Sequence, residues 1–240
     1  MAGQSTRHRE RAERILDAAA ELVLRWGYKR VTVEDIAKQA GVGKGTVYLH
    51  WRAREALFIA MLAREALAVL DEVLDATRQD SLEILPHRQI SRVYLGVMRR
   101  PLLRATFGRD IEILGALAHE KSIVAVRDQK LDAVTELLAL LRAHGLLRTD
   151  LDADAQVYAL NAVTTGFYLV EPLMPGQPEP DLDVRARAIA QTVRNAFESP
   201  GPPDRAVLRT LAPKAIALYE QLREAYRERV QSDPPREEPS

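Results

Sequence analysis

The stretch AGVGKGTVYLHW, residues 40–51, sets glycines beside a lysine and a threonine, types that can hold a phosphate. A nucleotide-binding loop would place them as G-x-x-x-x-G-K-[ST] between a strand and a helix, with backbone N–H groups around the phosphates and the hydroxyl on magnesium. With Gly43 and Lys44 as its GK, the first glycine would fall on Lys38 and the hydroxyl on Gly45, so the pattern fails twice. The preceding VEDIAKQA, 33–40, also repeats with a helical rather than a strand period. The second chemistry is recognition of duplex DNA. Two short helices around a glycine-bearing turn make a helix-turn-helix, here over about 32–51. Gly41 and Gly43 let the chain reverse. Val42 plugs the crevice, and Val47 and Trp51 point back to Ile36 and Ala37. The outward face of the second helix then carries Lys44, Gly45, Thr46, Tyr48, Leu49 and His50, the set a major groove accepts. Lys44 reaches guanine edges or phosphate, and Gly45 permits close approach. Thr46 touches phosphate or a thymine methyl, and Tyr48 offers a hydroxyl to phosphate. Leu49 gives apolar contact, and His50 bonds a base or phosphate oxygen. Thr32 caps a helix N-terminus suited to a phosphate, and Arg52 and Arg54 stand where the DNA backbone would pass.

Other chemistry is sparse. The chain has no cysteine, which removes disulfides, thiolate metal sites and a thiol nucleophile. His87, His119 and His144 lack zinc spacing, so no metal or other cofactor is expected. Asp152 and Asp154 sit where helix capping explains them. No nucleophile–base pair is visible, and an enzyme is not expected. A helical enzyme and a protein-binding adaptor remain the alternatives, separated from a DNA-binding protein by salt-dependent, selective binding to a palindromic duplex.

The elements that position these residues are helical throughout. Of 240 residues, 34 are Lys or Arg and 34 Asp or Glu, a net charge of zero. The charge is unevenly placed: residues 1–54 hold 11 basic and 6 acidic groups, a net of +5, which leaves −5 on the rest. A basic end on an acidic body suits a polyanion partner. No apolar run approaches the ~18 to 20 residues of a membrane span, and no secretory signal is visible, so a cytoplasmic protein without membrane contact is expected. Apolar spacing predicts helices over 7–26, 33–40, 44–51, 54–76, 82–99, 101–117, 121–144, 152–173, 182–198 and 213–231. Gly27, Gly41 and Gly145 close helices, and Thr32 with Asp35 has capping-box spacing. Pro86 falls in a first helical turn, and Pro101 opens a helix. Residues 171–181 and 199–204 are Pro-rich loops, and 232–240 is a disordered tail. In the helix after Pro213, the stripe Ile216, Tyr219, Leu222, Tyr226 and Val230 buries one face, against its own subunit or over a dimer seam.

The segment ILDAAAELVLRWGYKRVTVEDIAKQAGVGKGTVYLHWRAREAL, residues 15–57, resembles the TetR family of transcriptional regulators. The shared features are A-x-x-L, then WGY, then T-V-x-x-I-A, then AGVGKGTVY, an aromatic, and a basic-E-A-L. The resemblance implies an all-α fold: an N-terminal three-helix DNA-binding module, residues 7–53, joined to a helical effector-binding and dimerisation domain, residues 54–231. It implies a homodimer on double-stranded DNA at a palindromic operator, most commonly a repressor released by a small-molecule effector. The DNA contacts it carries over are Thr32, Lys44, Gly45, Thr46, Tyr48, His50 and Arg54. The chain departs from the family where Gly43 replaces a frequent Ser and where Ala53 replaces Ser or Asn, which leaves the fourth helix without a side-chain cap. The family's pairing of its last two core helices points to 152–173 and 182–198 as dimer elements, through Ala155, Ala159, Ala162, Val163, Ala188, Ile189, Thr192, Val193 and Ala196. Candidate effector contacts are Tyr94, Met98, Phe107, Asn161, Thr165 and Tyr168, which combine apolar bodies with occasional polar groups.

Overall fold

The computed structural model describes residues 2–107, 121–174, 176 and 178–231. Helix α1 spans Ala2–Trp26 and stops at Gly27, whose φ of 81° suits a residue without a Cβ. A 3-10 turn, Tyr28–Arg30, leads to α2, Val33–Ala40, and α3, Lys44–His50. Helix α4 spans Arg54–Gln79, and a 3-10 turn over Ser81–Ile84 precedes α5, Pro86–Met98. Then come α6, Pro101–Phe107, and α7, Lys121–Ala143, followed by α8, Ala153–Leu173, α9, Leu182–Phe197, and α10, Arg205–Val230. Among the described residues the only β-type pairing is an isolated antiparallel bridge between Leu147 and Glu198.

Several boundaries differ from the sequence expectation. Helix α1 begins at Ala2 rather than residue 7, because the charged run before Arg11 continues the same helix. The segment 82–99 divides into a 3-10 turn and α5, with Pro86 at the first turn where its missing N–H costs nothing. Pro172 lies inside α8, so the loop expected from 171 starts later. Pro213 lies inside α10 and does not open it; Asp204 does, its carboxylate accepting from the N–H groups of Ala206 and Val207. The latter part of the helix expected over 101–117 and the tail 232–240 lie outside the described residues.

Two apolar clusters form the interior. The first joins α1, α2 and α3 through Ile15, Leu16, Ile36 and Val47 to the start of α4 at Leu57–Met61. The second gathers the far half of α4, from Leu70, with α5, α7, α9 and α10. Helix α4 therefore runs through both; its 26 residues extend ~39 Å at the helical rise. Arg64 of α4 holds Glu13 and Asp17 of α1 at 2.9 and 2.8 Å. Helix α10 packs on its own subunit, with Leu208, Leu211, Ala215 and Leu218 buried. Helix α5 comes close to α4 at Gly96, where a Cβ would stand 2.9 Å from Val69.

Candidate nucleic-acid interface

Helix α2 is fixed at both ends by local bonds. The Thr32 hydroxyl accepts from the Asp35 N–H, and Asp35 Oδ2 accepts from the Thr32 N–H at 3.0 Å, a complete capping box. The Thr32 hydrogen bonds hold the Asp35 carboxyl below its ordinary range. At the other end Gly41 takes φ 67°, and the Val42 N–H returns to the Ala37 carbonyl at 2.9 Å. Gly43 has an ordinary extended φ of −73°, so only Gly41 provides the left-handed reversal expected of both.

Helix α3 has one sealed face and one open face. Val47 and Trp51 are buried against Ile36 and Ala37 in the first cluster, and Val42 packs at its edge. Lys44, Gly45, Tyr48 and Leu49 are exposed, and Thr46 is half-buried. Leu49 is 63% accessible, a cost an isolated subunit bears without a packing reason. A Cβ on Gly45 would meet nothing within 4 Å, so packing does not require glycine there. Lys44 pairs with Glu34 of α2 and lies 5.9 Å over the Tyr48 ring. The Glu34 carboxylate raises the Lys44 ammonium above its usual value.

Two residues are placed otherwise than the sequence reading holds, and a third, Thr32, caps its helix as expected. His50 is 1% accessible, stacked on His8 of α1 at 4.1 Å and tilted against Trp51. The N-terminal extension of α1 covers it, so it is not on the open face. Burial first, then the charges of His8 and Arg11, lower its pKa to about 4. Arg54 is a brace: its guanidinium donates to the carbonyls of Tyr28 at 2.5 Å and Val31 at 3.2 Å, and packs over the Tyr28 and Phe58 rings. It ties the start of α4 to the entrance of α2. The Thr32 hydroxyl is committed to its cap, and Glu34 and Asp35 stand in the first turn beside it, an unfavourable setting for phosphate. Sequence reading also missed Arg7, Arg9 and Arg11, exposed on the α1 extension; their basic spacing was visible, but their nearness to α3 was not.

A second feature lies in the body. A cavity of about 470 Å³ opens between α4, α5, α6, α7, α8 and α10. Of the expected effector contacts, Phe107 and Asn161 line it. Tyr94, Met98 and Tyr168 are buried core residues away from its wall. Tyr168 stacks on Phe107 at 4.5 Å, and burial raises its hydroxyl pKa. Thr165 is exposed on the outside of α8. His87 is bound by Glu198 at 2.7 Å, and the His144 ring meets the Leu140 carbonyl at 2.9 Å. His119 lies outside the described residues. Among the described residues no cluster of His, Asp and Glu could hold a metal ion. None of the described helices is long and apolar enough to cross a membrane.

A capped helix, a left-handed glycine turn and a second helix with one sealed face define a helix-turn-helix module on a helical body. The family model of bacterial regulatory proteins of the tetR family matches residues 15–61. A transcriptional regulator of Mycobacterium bovis, itself uncharacterized, is 43% identical over 70 residues, 29% of this chain and 37% of that relative. The repressor BepR of Brucella suis is 24% identical over 199 residues, 80% of this chain and 93% of that one. Among solved structures, the TetR regulator TylP of Streptomyces fradiae superposes with a TM-score of 0.53 at 25% identity, covering 89% of this chain and 97% of that one. Residues 15–61 therefore match the tetR family of bacterial regulatory proteins, and the rest of the chain is similar to such regulators in its helical fold. The chain spans 37% of the length of the mycobacterial relatives it matches.

Proposed function

We propose that the chain is a dimeric, sequence-specific DNA-binding regulator, a repressor that a small-molecule effector releases from its operator. The observation that carries this reading is the open face of α3 on a rigidly capped α2. Lys44, Thr46, Tyr48 and Leu49 are free of the core, and Gly45 leaves room for base edges. In this reading Lys44 exchanges Glu34 for guanine or phosphate, and Arg7 and Arg11 of the α1 extension meet the DNA backbone. The repressor sign is supported by the relative BepR, a transcriptional repressor by name.

The dimer surface would be the outer side of α8 and α9. Along α8, Tyr158, Ala162, Gly166, Val170 and Leu173 are exposed at helical spacing, and along α9 Val184, Ala188 and Thr192 are exposed. Ile189 and Val193, expected at that seam, are fully buried in their own subunit and cannot serve it. Exposed apolar rows of this kind mark association surfaces.

Effector release follows from α4. Ile59, Leu62, Ala63, Ala66, Val69 and Val73 form one face of that helix and line the cavity. The same helix begins at Arg54, clamped to the entrance of α2. A ligand that prefers a different α4 position moves both recognition helices away from successive major grooves, and a coupling of ~1–3 kcal/mol changes affinity ~5- to 150-fold. The test is titration of an enriched duplex at rising salt. Lys44→Ala should bind more weakly and lower the slope of log affinity against log salt by about 1; an unchanged affinity and slope would remove α3 from the interface.

A further inference from the structure

The cavity wall contributed by α7 comprises Val126, Arg127, Lys130, Ala133, Val134, Leu137 and Leu138. Five are apolar and two are basic. A few charged groups on an otherwise apolar wall set which ligand it takes. Among the described residues, no carboxylate or other acceptor meets the Lys130 ammonium, and no Asp or Glu lines the cavity. Arg229 of α10 is on the same wall, and its Nε is buried without a hydrogen-bond partner. Arg127, one turn before Lys130, leans to the neighbouring Asp128 at 3.2 Å. Lys130 is exposed and lines the cavity.

We propose that the cavity binds a small amphipathic anion, with an apolar body along α4, α7 and α10 and one carboxylate-class head on Lys130, assisted by Arg229. This rests on the reading of the cavity as the effector site and names the effector's chemistry. The volume falls within the ~300–1,000 Å³ of small-molecule sites. Long apolar walls reward a hydrocarbon or ring body. The unpaired cation rewards an anion and rejects an amine.

The test is calorimetric titration of the full chain with decanoate and with 2-naphthoate, each beside its primary amide and the corresponding amine. At least one carboxylate should bind tenfold or more tighter than its amide and amine, the order of a charge-assisted bond (~10- to 100-fold). Lys130→Met should erase that preference, and Lys130→Arg should keep it. Lys130→Met should also melt close to the parent, since Lys130 is exposed and substitutions at exposed positions change stability little. Carboxylates binding no better than amides, a preference surviving in Lys130→Met, or no binding by either series would each overturn the proposal. Operator binding is measured separately, without ligand. A carboxylate that binds as expected but leaves the duplex bound would overturn effector release and leave the ligand assignment standing.

Discussion

At the scale of single residues, the side chains around α3 divide into those that hold it and those that face out. His50 belongs to the first group. Its pKa lies near 4 in the folded chain, below its ordinary 6.5, because burial and the charges of His8 and Arg11 oppose protonation. Between those values the unfolded chain binds a proton that the folded chain refuses. Stability is therefore full above about pH 6.5 and falls as pH drops towards 4, each tenfold in proton affinity being worth about 1.4 kcal/mol. His50→Phe keeps the ring stack and removes the proton site. Denaturation between pH 7 and 4 should show the parent losing a few kcal/mol more than the variant; parallel pH profiles would contradict the assignment. Local residues such as Thr32, Asp35 and Gly41 are legible in the sequence because their partners lie within a few positions. His50 is not, because the group that covers it is His8, 42 positions earlier. Arg54 misleads for the same reason, since its acceptors sit on the 3-10 turn after α1 and at Val31.

At the scale of elements, α4 joins the two apolar clusters and its start is the weak point. Ala53 has the extended backbone of an N-cap, φ −134° and ψ 153°, but no side chain to accept an N–H. Ala53→Ser should add that acceptor and stabilise the protein by about 1 kcal/mol, raising the melting temperature by about 2–4 °C for a chain of this size. An unchanged or lower melting temperature would mean that the end of the helix is already satisfied. Helix spans are readable wherever a cap and a glycine bracket an apolar face, as for α2. They mislead where proline stands inside a helix. Pro213 reads as a start, while the operative signal is Asp204, at the end of the loop SPGPPD. The cavity face of α7 is present as spacing in the sequence, but only the packed structure shows that Arg127 and Lys130 line a cavity.

At the scale of the whole molecule, the account requires two subunits, because one seven-residue helix reads too few base pairs for a specific site. Val170 is 50% accessible, on the proposed seam of α8. Val170→Arg should leave the subunit folded and convert dimers to monomers in sedimentation at micromolar concentration; a persistent dimer would move the seam elsewhere. The uneven charge, +5 on residues 1–54 and −5 on the rest, orients such a dimer with both basic modules towards DNA. The most direct measurement of the central claim is selection of bound duplexes from a random pool by the parent and by Lys44→Ala. The parent should enrich a palindrome with half-sites about one helical turn apart, ~34–36 Å or a multiple of it, and the variant should lose enrichment or relax it at the contacted base. Absence of an enriched motif, or the same motif at the same strength from both proteins, would contradict the account.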